Sequence, residues 1–283
     1  MYSYLSLSKP KIMLLLNLSA ATSVILAARS LALWPLTMIL VAGSLASAGS
    51  SAINSYFDRD IDSVMERTKR RPVPSGRLAP RSAVIFGLAT VSLGIILGAL
   101  TLNLITGVFV GLGAFVYVVV YTVWLKRRSV WNIVLGGFAG SCAALAGWSA
   151  VHGSLSITAW LIAALIFLWT PGHFWSLALR ARADYAKAQL PMLPVVKSLD
   201  QTARIIAISN IVLVPFVAVL YFVGDLGPIF LLGSTSAGLY MILQNLMLLK
   251  RRTQAQAWKT FKASSPYLAV VLISAIADTL SRT

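Results

Sequence analysis

The sequence predicts an all-α integral membrane protein, a bundle of about nine spanning helices. Three observations carry that prediction. Of the 283 residues, 58% are hydrophobic and 11% charged, with a mean hydropathy of +0.81, whereas a soluble domain is roughly one-quarter charged. Apolar runs recur with so little polar material between them that no soluble module is left over, so residues 1–283 are expected to form a single domain. The formal net charge of +16 lies in short connections between those runs. Membrane topology accounts for charge in such places, and nucleic-acid binding does not.

At roughly 20 apolar residues per crossing, spans are expected near 11–28, 34–56, 82–100, 102–125, 131–151, 157–179, 203–223, 227–249 and 264–281. The first begins like a signal peptide, with Lys9 and Lys11 ahead of an apolar run. No small-residue cleavage site feeding a soluble domain follows, so the segment reads as a spanning helix. The third and fourth are separated by little more than residues 101–103, which demands a tight helical hairpin. The fifth holds the single cysteine, Cys142, which packs as a small hydrophobe without a disulfide partner. The ninth is the weakest because it contains Asp278. The Gly107/Gly111 and Gly136/Gly140 pairs suit close helix packing.

With this segmentation, 22 of the 24 Lys and Arg residues fall on one face and only Arg29 and Arg282 on the other. Positive residues resist translocation, so the N-terminus is expected in the cytoplasm and the C-terminus outside. Asp58, Asp60, Asp62, Glu66, Asp184 and Asp200 share the basic face, while Asp225 and Asp278 lie opposite. The lone acids Asp200, Asp225 and Asp278 read as solvated spacers, and His152 as a surface histidine.

Clustered acids need a further account. In NSYFDRDIDSVMERTKRRPVPSG, Asn54, Asp58 and Asp62 stand at i, i+4 and i+8, along one stripe of a helix. Three hard oxygen ligands in a row suit magnesium, which bridges protein carboxylates to phosphates. The alternative is a helix end whose acids pair with Arg59, Arg67 and Arg70. Asp60 points away from the stripe, and Glu66 can pair with Arg70. Arg67, Lys69, Arg70, Arg71 and Arg77 surround Pro72, Pro74 and Gly76, so this loop, near 57–81, cannot be helical throughout. It can fold back over a site and offer cations to a polyanion. A second loop, near 180–202, carries Arg180, Arg182, Asp184, Tyr185 and Lys187. Just before it, WTPGHFW sets His173 beside a helix break. That histidine is either a hydrogen-bonded core residue or a contact for a flat, metal-bearing ligand. Lys126, Arg127 and Arg128 close the fourth span.

Carboxylates, Arg and Lys at one membrane interface suit a magnesium diphosphate whose hydrocarbon tail lies within the bundle. The chemistry expected is ionisation of an allylic diphosphate in an apolar chamber that keeps water from the carbocation, followed by prenyl transfer to an acceptor held alongside.

NSYFDRDID with MERTKRRP resembles the NxxxDxxxD motif of the UbiA-type intramembrane prenyltransferases. SLSKPKIMLLLN, YTVWLKRRSVWNIVLGG, WTPGHFW and DYAKAQLPMLPVVK resemble the heme-farnesylating branch of that family in matching order, so the resemblance covers nearly the whole chain. It implies a nine-helix bundle with a central cavity in the cell membrane, farnesyl diphosphate and heme b as substrates, and magnesium as cofactor. It further implies attack of the farnesyl cation on a heme vinyl group, completed by water. Carried over by residue, Asn54, Asp58 and Asp62 match the magnesium motif and Asp184 a second catalytic position. Arg67, Lys69, Arg71, Lys126, Arg127 and Tyr185 fall where the diphosphate is expected, and His173 is the heme contact. A homo-oligomer, or a downstream heme-modifying or oxidase-assembly partner, would fit such an enzyme. The chain departs from the branch at Ala183 and Gly172, where a further Asp and Pro are usual, at Ala188 in place of a superfamily Asp, and in AGSCAALAGW, which lacks a Pro pair. The competing readings are a relative acting on a quinone precursor or lipid, and a transporter. A transporter should place ionisable groups deep within several spans.

Overall fold

The computed structural model describes residues 2–282. Among them nine helices are long and apolar enough to cross a membrane. They are α1 (Pro10–Ala28), α2 (Leu33–Phe57), α3 (Pro80–Thr101), α4 (Leu104–Leu125), α5 (Asn132–His152), α6 (Ile157–Arg180), α7 (Leu199–Val223), α8 (Pro228–Arg251) and α9 (Gln254–Ser281). Most boundaries lie within a few residues of expectation. The clear exception is α9, which starts ten residues before the predicted 264. Thr253 Oγ1 accepts from Gln256 N at 3.2 Å and caps the helix, which then carries Lys259 and Lys262 that read as loop charges.

Asn103 makes the tight α3–α4 hairpin. Its Oδ1 accepts from Thr106 N at 2.9 Å to cap α4, and its Nδ2 donates to Ser149 O of α5 at 2.7 Å. Gly107 permits the approach, since a Cβ there would lie 2.6 Å from that of Ala99.

Ion pairs sort the loops into two ends of the bundle. At one end Arg127 pairs with Asp60 and Arg252 with Asp200, tying the connections α2–α3, α4–α5, α6–α7 and α8–α9 to their neighbours. At the other, Asp225 pairs with both Arg29 and Arg282. Asp200 and Asp225 are therefore paired rather than simply solvated. The larger correction concerns Asp278, which is fully buried. Its Oδ2 accepts from Gly227 N at 2.5 Å and its Oδ1 from Ile229 N at 3.1 Å, so it caps α8 from the adjacent α9. A helix terminus that needs an anion explains how an acid persists in an apolar span. His152 also has a partner, because a ring nitrogen lies 2.9 Å from Ala27 O at the free C-terminal end of α1.

The ring of helices closes where α9 packs on α1 and α6. Leu145, Leu165, Leu213, Phe230 and Leu272 belong to a core that joins α5, α6, α7, α8 and α9. Helices α1, α2, α4, α5, α6 and α9 surround a cavity of about 590 Å³.

Candidate active site

The stripe read from the sequence forms at the end of α2. Asp58 (φ −90°, ψ 4°) both ends α2 and starts a short helix, Arg59–Val64. The i to i−4 bonds continue through it, from Asp58 N to Asn54 O at 2.9 Å and from Asp62 N to Asp58 O at 2.7 Å. Asn54, Asp58 and Asp62 thus share one face, and each is at most 3% exposed. Buried carboxylates demand cations, and each finds one. Lys126 donates to Asp58 Oδ2, and Arg71 Nη1 donates to both oxygens of Asp62, at 3.0 and 2.7 Å. Asn54 Nδ2 donates to Asp58 Oδ2 at 2.7 Å and to Thr122 Oγ1 at 3.0 Å. The loop after the stripe does fold back, since Thr68 Oγ1 donates to Asp62 O at 3.1 Å.

Lys126 and Thr122 reach the stripe because the second half of α4, Val116–Leu125, is a π-helix. Bonds to i−5, such as Lys126 N to Tyr121 O at 2.8 Å, widen the turn and bring residues five apart onto one face. Tyr117 and Thr122 are related in this way. Nothing in YTVWLKRR signals a π-helix, so sequence reasoning missed both residues.

It also missed Lys9, whose charge read as topology. Lys9 Nζ donates to Asn54 Oδ1 at 2.7 Å and to the Tyr117 hydroxyl at 3.4 Å. The residue sits in the left-handed region (φ 51°) immediately before Pro10, where proline disfavours helical conformations and Lys has no glycine-like freedom. The usable signal was Lys-Pro at the mouth of the first span. Burial, then the charges of Arg71 and Lys126, push its amine down to about 7 against the pull of Asp58 and Asp62.

Other expected site residues stand apart. Arg127 forms a two-pronged pair with Asp60, with both contacts at 2.7 Å, and also holds Phe57 O. That hydrogen-bonded pairing lowers the Asp60 carboxyl to about 2. Lys69, at 2.6 Å, takes Glu66 from its expected partner Arg70 and holds that carboxyl below its usual range. Asp184 Oδ2 accepts from Arg67 N at 3.4 Å, and Arg67 Nη2 lies 3.5 Å from the Tyr185 hydroxyl. Lys69 is diverted by an exposed acid of its own loop, Arg127 by an exposed acid of the facing loop after α2, and Asp184 by the backbone of that same loop.

The donor set fits a hard divalent ion on one observation above all. Asp58 Oδ1 is buried and has no hydrogen-bond partner, while its sister oxygen is doubly held. Among the described residues no three of His, Cys, Asp and Glu gather at one point. Asn54 and phosphate oxygens would therefore have to complete the coordination shell.

Tyr117 links this cluster to the cavity, whose wall it forms with Tyr121, Ser50, Trp169, His173 and Phe261 among others. The His173 ring stacks between Trp169 (centroids 4.2 Å, 19°) and Phe261 (4.5 Å, 30°). Trp169 Nε1 donates to Ser264 O at 2.8 Å, which fixes the first of those rings. Of the break or kink expected at Pro171 and Gly172, the break does not occur; α6 runs through them. Gly172 matters for another reason, since a Cβ there would lie 2.1 Å from Asn210 Oδ1 on α7.

A family model described as the UbiA prenyltransferase family matches residues 16–269. The protoheme IX farnesyltransferase 1 of Cenarchaeum symbiosum is 42% identical over 280 residues, covering 97% of this chain and 94% of the relative. A solved digeranylgeranylglyceryl phosphate synthase superposes with a TM-score of 0.80 at 18% identity, covering 99% of this chain and 98% of the other. A UbiA homolog from Archaeoglobus fulgidus bound to DMAPP and Mg2+ gives 0.69 at 17% identity, covering 97% and 99%. The two structures establish a shared fold, and the sequence relationship goes further: the chain belongs to the UbiA prenyltransferase family.

Proposed function

We propose that the chain is a magnesium-dependent prenyltransferase that moves the farnesyl group of farnesyl diphosphate onto a vinyl group of heme b, with addition of water, to give heme O and diphosphate. The observation that carries this reading is the continuity of the charged cluster with the apolar cavity at Tyr117. A diphosphate can lie among the cations while its hydrocarbon tail enters the bundle. Relatedness at 42% identity to a protoheme IX farnesyltransferase supports heme as the acceptor.

Asn54, Asp58 and Asp62 hold magnesium, with Asp58 Oδ1 as the free oxygen. Magnesium, when bound, supplies positive charge at the departing phosphate oxygens. Lys9, Arg71 and Lys126 offset the charge that develops on the diphosphate as the allylic C–O bond breaks. Arg67 and Tyr185 extend that cradle from the two facing loops, while Asp184 orders the Arg67 backbone. Tyr117, Tyr121 and Trp169 wall the cavity, and their rings keep stray water from the cation. His173 is the heme contact. The enzyme works in the cell membrane as one domain, with this site and the N-terminus cytoplasmic and the C-terminus outside. Its product passes to a heme-modifying or oxidase-assembly partner.

The test is incubation of purified protein with magnesium, heme b and isoprenyl diphosphates of different lengths, with products identified by mass. A heme product heavier by one farnesyl group and one hydroxyl (C15H26O in all) is expected, and a prenylated species lacking heme would refute the acceptor. His173→Ala should impair use of heme while farnesyl diphosphate binding persists.

A further inference from the structure

Ser264 of α9 contacts the rings of Trp169 and His173 and the backbone of Phe261. Its carbonyl accepts from Trp169 Nε1 at 2.8 Å, and its hydroxyl lies 2.5 Å from His173 Nδ1 and 2.8 Å from Phe261 O. A hydroxyl has one hydrogen to give. The Phe261 carbonyl can only accept, so that contact is satisfied only if Ser264 is its donor. His173 Nδ1 must then donate to Ser264. In the opposite arrangement Ser264 would donate to Nδ1, and two oxygens without a proton between them would face each other at 2.8 Å in a site where Ser264 is fully buried. The network therefore has one consistent state, with the proton on Nδ1. In the neutral imidazole the other nitrogen, Nε2, then carries the lone pair, and no protein hydrogen bond reaches it among the described residues.

We infer that Ser264 is a positioning residue that fixes the tautomer of His173, a residue of the cavity wall, so that its unprotonated Nε2 serves as an axial ligand to the iron of the heme substrate. This rests on the proposal that heme is the acceptor. Stacking between Trp169 and Phe261 sets the plane of the imidazole, and Ser264 sets which nitrogen carries the lone pair. A histidine that ligates a metal through one nitrogen commonly donates its other N–H, and that outer contact strengthens the ligand and holds its orientation. The iron site lies within the same cavity that adjoins the diphosphate cluster, so the ligand would also place the porphyrin edge relative to the allylic carbon.

The experiment is ferrous heme b titration into the purified full-length protein, read by resonance Raman at the iron–histidine stretch and by optical affinity. Wild type should show the iron–histidine mode, and His173→Ala should lose it. Ser264→Ala leaves the backbone carbonyl and its Trp169 contact in place but removes the acceptor for Nδ1–H. It should shift the mode to lower frequency and weaken heme affinity by about 10- to 100-fold, with farnesyl diphosphate affinity unchanged. Ser264→Thr, which keeps a hydroxyl, should restore the mode toward wild type. An iron–histidine mode lost in His173→Ala but unmoved in Ser264→Ala would overturn the role of Ser264 alone. A mode absent from wild type, or unchanged by His173→Ala, would overturn the assignment of His173 itself. Were Ser264→Ala to yield no folded protein, the Ser264→Thr spectrum decides: a mode shifted as far as in free imidazole-ligated heme counts against the inference.

Discussion

Asp58→Asn isolates charge from shape. The amide has the size of the carboxylate, so α2 and the Arg59–Val64 helix need not move. What disappears is one negative charge from the cluster proposed to hold magnesium. One pair of unit charges about 4 Å apart is worth about 4 kcal/mol at an effective dielectric near 20, so even the monovalent share of the loss corresponds to roughly a thousandfold in turnover. A second effect must be separated from this one. Lys126 is 9% exposed and pairs with Asp58, so Asp58→Asn also strands a buried ammonium, a change that costs about 3–5 kcal/mol when one member of a buried pair is removed. Adding Lys126→Met removes the stranded charge. The double variant should recover thermal stability in detergent while turnover stays at least a thousandfold below that of Lys126→Met alone, which carries the loss of the diphosphate-facing ammonium. The assay is product formation against magnesium concentration, alongside a melting curve for each variant. Turnover restored together with stability in the double variant would refute Asp58 as a metal ligand and leave it as a structural counter-ion.

Four further outcomes follow from the geometry. Lys9→Met should leave the fold intact and raise the KM for farnesyl diphosphate about tenfold, the value of a single charge-assisted contact near 1.5 kcal/mol; steady-state kinetics at varied diphosphate read this directly. Arg127→Ala should cost under about 1 kcal/mol of stability and little turnover, because its pair with Asp60 is exposed. The pH sign agrees: a carboxyl lowered to about 2 contributes stability that is present above its ordinary range near 3.8 and lost as pH falls toward 2, so Asp60→Asn should leave melting temperatures between pH 6 and pH 8 in a constant offset from wild type. Asp278→Asn weakens the buried cap on α8 and should cost about 2–3 kcal/mol, seen as a lower melting temperature with activity preserved in the cold.

Periodicity and charge disclosed the helices, because lipid imposes length and composition on each span. The stripe of Asn54, Asp58 and Asp62 was legible for a similar reason: all three depend only on the local rise of one helix. What lay hidden depends on contacts between distant segments. Lys9 reaches Asn54 across 45 positions, and Asp278 caps a terminus roughly 50 residues earlier. Among the loop charges, Arg127 was overcounted for the same reason, its partner Asp60 lying 67 positions away, whereas Lys69 is captured locally by Glu66 at i,i+3. Arg127 and Lys69 have the chemistry of diphosphate ligands, but exposed acids nearby capture them, and no spacing rule distinguishes a captured cation from a free one.

The same distinction bears on the departures from the heme-farnesylating pattern. Gly172 is absent from the cavity wall, while Thr170, His173 and Phe174 of the same helix belong to it. A side chain at 172 would meet Asn210 of α7, which in turn donates to Asn245 Oδ1 on α8 at 2.9 Å. The change from proline therefore falls on the back of α6, where it accommodates a buried polar contact and leaves the acceptor pocket untouched. The segment AGSCAALAGW differs in kind, since its Cys142, Ala143 and Ala146 do line the cavity. Small side chains there border the cavity directly, so any difference in acceptor or chain-length selectivity from relatives with a proline pair should trace to this wall of α5 and not to the altered motif around His173.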